Sequence, residues 1–62
     1  MKEKEYKRMI SRLKALNTYF MNQTISAADK ADREFTFKAM EATAEALGKV
    51  EAHYFVVYGK EV

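Results

Sequence analysis

From Tyr6 to Phe20 the apolar residues recur at intervals of three and four: Tyr6, Met9, Leu13, Leu16 and Phe20. That spacing follows one side of a 3.6-residue helix. Ile10 and Met21 widen the strip, while Lys4, Arg8, Ser11, Ala15 and Thr18 fall on the opposite side. An amphipathic helix over residues 3–22 is therefore expected. No Pro occurs in the chain and only two Gly, Gly48 and Gly59, so few positions stop a helix once it has begun.

A polar stretch, Asn22-Gln23-Thr24-Ile25-Ser26, reads as the connector. Ser26 has the chemistry of an N-cap, with Asp29 three residues on, and Asp29 and Asp32 suit the positive end of a helix dipole. A second helix should then start near Ala27. With Leu47 at the centre of its wheel, Thr36, Met40, Thr43, Val50, Tyr54 and Tyr58 share one side. Phe37, Ala44, Phe55 and Val57 lie on the flanks, and Ala28, Phe35, Ala39, Ala42, Ala46 and His53 lie further round. Glu34, Lys38, Glu41, Glu45 and Lys49 make the polar stripe. The apolar arc exceeds half the circumference, which predicts two neighbours for this helix rather than one. Gly48 costs about 1 kcal/mol inside a helix relative to Ala; the wheel nevertheless continues through it to Tyr58.

The stretch His53 to Tyr58 is β-branched and aromatic, so its alternative is a β-strand paired between chains. The helical reading carries a geometric expectation. A first helix of about 20 residues spans about 30 Å and a second of about 32 residues about 48 Å. Folded back, the first would end opposite Ala46 and leave the aromatic tail overhanging. Such a patch marks an interface, and a second copy about a two-fold axis is its natural cover. The expected fold is all-α: one domain over residues 1–62, an antiparallel two-helix hairpin with a longer second helix, dimerising into a four-helix bundle. Leu47, Val50, Tyr54, Phe55, Val57 and Tyr58 are the expected dimer interface.

Size makes the same demand. A single domain of 62 residues hides a modest share of its surface, and such chains lean on disulfides, metals or a second copy. With no Cys and one His, disulfides and thiolate metal sites are out of reach.

Catalytic chemistry finds no foothold in the sequence. His53 has Lys49, Val50, Val56 and Val57 at the spacings that share its helical face, so no carboxylate is placed to orient it. There is no nucleophile elbow, no His-x-x-x-His and no Gly-rich phosphate loop. The carboxylate-bundle metal motif needs a Glu three residues before a His, and that place holds Val50. No catalytic, cofactor or metal site is assigned.

Charge offers one candidate. Net charge is +2, but residues up to Ile25 carry +4 (six basic, two acidic) and those from Ser26 onward −2 (five basic, seven acidic). Lys4, Arg8 and Arg12 step by four along the outward side, with Lys7 and Lys14 at its edge, a row able to follow a phosphate backbone. Glu3 and Glu5 dilute it. The leading expectation is a non-enzymatic protein-interaction module, a small regulator or adaptor working as a homodimer. The alternative is a nucleic-acid-binding dimer using Lys4, Lys7, Arg8, Arg12 and Lys14. No stretch approaches the roughly 18 apolar residues of a membrane span, and the N-terminus lacks an apolar signal core, so a cytoplasmic location is expected. In length and hairpin layout the chain is similar to the small plasmid-encoded helical-hairpin dimers that bind RNA. No residue motif accompanies that similarity, and no site is transferred from it.

Overall fold

A computed structural model describes all 62 residues. It is all-helical: α1 runs Glu3–Ser26 and α2 runs Lys30–Tyr58, packed as an antiparallel hairpin 43 Å long and 16 × 15 Å in section. The strand alternative for residues 53–58 does not form. α2 passes through Gly48 without interruption and ends at Gly59, whose φ of 68° is the left-handed conformation that Gly adopts cheaply. The Gly59 amide donates to the Phe55 carbonyl at 2.7 Å, closing the last turn.

The connector is shorter than its polarity suggests. Residues 22–26 stay in α1, because Thr24 and Ser26 turn their hydroxyls back onto the carbonyls of Phe20 (2.8 Å) and Asn22 (2.9 Å). Side-chain bonds of this kind let hydroxyl residues sit in a helix. Ser26 therefore does not cap α2. Asp29 does, accepting from the Ala31 amide at 3.0 Å, and only residues 27–29 lie between the helices.

Those few residues overturn the expected overhang. α1 has 24 residues and α2 has 29, a difference of only about 7 Å along the axis. Cross-helix partners fix the register: Thr24 lies against Thr36, Asn17 against Thr43, and Glu3 against Tyr54. The first turn of α1 thus reaches the last turn of α2. The tyrosines of the tail are sheltered by their own chain.

The core sits at that open end. Tyr6, Ile10 and Tyr54 are buried, with Leu47, Val50 and Tyr58 packed against them. Tyr6 meets Tyr54 and Tyr58 edge-on, at centroid separations of 6.1 and 5.8 Å, within the preferred geometry of aromatic pairs. Towards the connector the contact becomes polar. The Asn17 amide donates to the Met40 carbonyl (2.8 Å) and the Thr43 hydroxyl (3.0 Å), and the Thr24 and Thr36 hydroxyls stand 2.9 Å apart.

Candidate functional site

The hairpin buries little of itself. Only 3 of 62 residues are buried, and the exposed surface is 4690 Å². A compact folded chain of this mass would expose about 4,100 Å² and its unfolded form about 10,400 Å². A larger than usual share of the chain therefore faces outward, and it is not evenly polar. Met9, Leu16, Tyr19, Met21, Ile25, Phe35, Phe37, Phe55, Val56 and Val57 are all exposed.

Apart from Tyr19 and Val56, on the outer backs of α1 and α2, these residues divide between two sides of the rod. On one side, Met9 borders both a groove with Leu13 and Leu16, edged by Glu5, Arg8 and Arg12, and a cleft with Val50 and His53, edged by Lys49. Met9 therefore joins the two helices across that side. The strip continues along α1 to Phe20, and along α2 from His53 through Val50, Ala46, Ala42 and Ala39 to Phe35, in steps of three and four. Both helices are apolar here. The opposite side differs. Phe37, Phe55 and Ala44 line its α2 edge with Glu41 and Glu51, but α1 contributes Lys7, Lys14 and Thr18, joined by Met21 and Ile25 towards the connector.

Of the six residues expected at a dimer interface, the hairpin takes four for itself. Tyr54 is fully buried, and Leu47, Val50 and Tyr58 pack on the core. Phe55 and Val57 remain about half exposed, on opposite flanks of α2. The tail is therefore not one continuous patch, and Tyr54 has no surface left to offer a neighbour.

Lys4, Lys7, Arg8, Arg12 and Lys14 all lie exposed on α1. Lys4, Arg8 and Arg12 make no ion pair, whereas Lys7 sits 3.7 Å from Glu3. The structure thus keeps the row of three together on the outer side and turns Lys7 and Lys14 away from it.

The arrangement that sequence reasoning missed is centred on Glu3. Its carboxylate accepts from the Tyr54 hydroxyl at 2.7 Å and from the Lys60 ammonium at 3.0 Å, with Lys7 at 3.7 Å. The Tyr54 and Lys60 hydrogen bonds hold the Glu3 carboxyl below the usual carboxylate range. Burial, and then the Glu3 bond, push the Tyr54 phenol up; burial does the same for Tyr58. The bond to Glu3 raises Lys60 as well. Every group keeps its ordinary charge state at neutral pH, so the cluster is a clasp between chain ends. In sequence Glu3 only weakens a basic row, because its hydroxyl partner lies 51 residues away.

His53 stands beside the Tyr6 ring at 5.7 Å and is exposed, with no hydrogen-bonded carboxylate. No three His, Asp or Glu side chains converge, and no helix is long and apolar enough to cross a membrane. Compared with known proteins, the chain matches no family model, no curated protein and no solved structure.

Proposed function

We propose that this chain is a non-enzymatic protein-interaction module of the cytoplasm, a small regulator or adaptor, working as a homodimer whose two hairpins pack into a four-helix bundle. One observation carries the reading: an apolar side shared by both helices stays exposed while three residues make up the whole buried core. Two amphipathic rods bury one stripe each against one another. A helix with an apolar arc as wide as that of α2 needs a second neighbour. The test is sedimentation equilibrium at micromolar concentration. A mass twice 7.2 kDa supports the module; a folded monomer throughout rejects it.

A second reading rests on a separate observation. Lys4, Arg8 and Arg12 form an exposed row without acidic partners, and a dimer would present it twice. In that reading the dimer binds nucleic acid through phosphate contacts. Salt-titrated binding to mixed RNA and DNA decides: a complex that weakens steeply with salt favours it, and no complex at low ionic strength removes it.

A further inference from the structure

We infer that the second copy seats on the Met9–Leu16–Phe20 side of the hairpin, with α1 of each copy lying over α2 of the other and both connectors at the same end of the bundle. This rests on the dimer reading above and adds its face and its axis.

The face follows from area and chemistry. Two separate copies expose twice 4690 Å², whereas a compact body of their combined mass exposes about 6,800 Å². Of that difference, roughly 2,500 Å², about 1,400 Å² would arise for any two compact chains of this mass; the remaining roughly 1,100 Å² is surplus particular to this hairpin, the size of a small specific interface. Only one side of the rod offers apolar surface from both helices over its length. Its charges, Glu5, Arg8 and Arg12 on α1 and Lys49 on α2, stand at the edges of the strip, whereas on the opposite side Lys7, Lys14 and Thr18 take the place of an apolar strip on α1 until Met21 and Ile25.

Charge chooses the axis. Two hairpins stacked on this face have two symmetric arrangements. With the two-fold axis across the rods, α1 lies on α1 and α2 on α2, each running antiparallel to its twin. The +4 half of the sequence then meets itself, and the rim residues Arg12 and Glu45 come near their own copies. With the axis along the rods, each α1 covers an α2, so the +4 half meets the −2 half. The register set by Asn17–Thr43 and Thr24–Thr36 puts Arg12 level with Gly48, within a turn of the Lys49–Glu45 ion pair on the helix beneath, so the contrast between the arrangements rests on the net charges of the two halves. Neighbouring helices are antiparallel in both arrangements, so their dipoles do not distinguish the two. Each exposed charge pair adds only about 0–1 kcal/mol, but the apolar strip is common to both arrangements. The charges are what differ.

The absence of Cys makes the test direct. Ala28→Cys in the connector takes a single nitroxide, and dipolar EPR on the full-length dimer measures the distance between the two labels. Labels separated by about the 10 Å spacing of packed helices, plus the reach of their arms, are expected. A distance near the 43 Å length of the rod overturns the axis. Leu16→Glu tests the face and is expected to give monomers, while Phe55→Glu on the opposite side leaves the dimer intact. If Leu16→Glu disturbs helicity by circular dichroism, Ala42→Glu on the exposed part of α2 asks the same question. A dimer that survives these face variants but falls apart on Phe55→Glu overturns the face and leaves the homodimer standing. A wild-type chain that never dimerises overturns both.

Discussion

The two ends of this hairpin are held by different physics. At the open end Tyr6, Ile10 and Tyr54 exclude water, and a carboxylate clasp ties Glu3 to Tyr54 and Lys60. At the connector end no residue is buried, and the helices meet through Asn17, Thr24, Thr36 and Thr43. Burial is non-directional and tolerates sliding. Hydrogen bonds between fixed side chains tolerate little, since an unmet polar group is costly. The open end supplies most of the attachment, with the Glu3–Tyr54 bond pinning its register; the connector end supplies register alone.

The contrast can be broken most severely at Ile10, only 1 % exposed. Ile10→Ala should lose about 2–5 kcal/mol, comparable to the whole stability of about 3–5 kcal/mol that a core this small provides. Thermal melts should show the hairpin mostly unfolded at 25 °C. A variant that melts like the wild type would mean the open end is not where attachment resides.

The clasp should respond to pH in both directions. Glu3 has a lowered pKa when folded, so its contribution is present above the ordinary 4.5 and is lost as pH falls through the folded value. Tyr54, Tyr58 and Lys60 have raised values, so their contribution is present below about pH 10 and is lost as pH rises through theirs. Hydrogen exchange at the helix ends near residues 3–6 and 54–58 should quicken in acid before exchange near Asn17 does, after correction for intrinsic rates. Glu3→Gln should flatten the acid limb.

Asn17→Ala sharpens the other half of the contrast. It removes donors to Met40 and Thr43 and should lose about 1–2 kcal/mol. Helicity should survive, with the loss appearing as reduced cooperativity near the connector. Asp29→Ala should lose about 1 kcal/mol through the missing cap. The smallest effect has the opposite sign. A Cβ at Gly48 meets nothing within 4 Å, so Gly48→Ala should stabilise the hairpin by about 0.5–1 kcal/mol. It should leave association unchanged, because Gly48 lies on the side away from Met9.

The sequence showed the helices and their inward faces more readily than where they stop. Tyr6, Thr36, Thr43 and Tyr54 all face inward as their spacing implies, because a wheel depends only on the helical period. Ile10 reads as the edge of the strip and is among its most buried members, while Met9 and Leu16, read as the seam, lie on a flank. The crossing of two rods selects among neighbouring positions in a way one helix cannot reveal. The connector was misjudged because Ser and Thr serve equally as caps and as back-bonded helix residues. Four residues misplaced at the end of α1 and three at the start of α2 produced the overhang, and with it the assignment of Tyr54 to an interface. The exposed side was legible in part: the wide apolar arc of the second helix implied a second neighbour, but the spacing of Met9, Leu13, Leu16 and Phe20 did not reveal that α1 leaves Met9 and Leu16 exposed.

In the proposed dimer, a second copy covers the apolar surface that one hairpin of this width leaves exposed. Sedimentation equilibrium of the wild-type chain across nanomolar to micromolar concentration measures this most directly. The account predicts a reversible shift from 7.2 kDa to twice that mass. A cooperatively folded species that stays at 7.2 kDa over the whole range would contradict it.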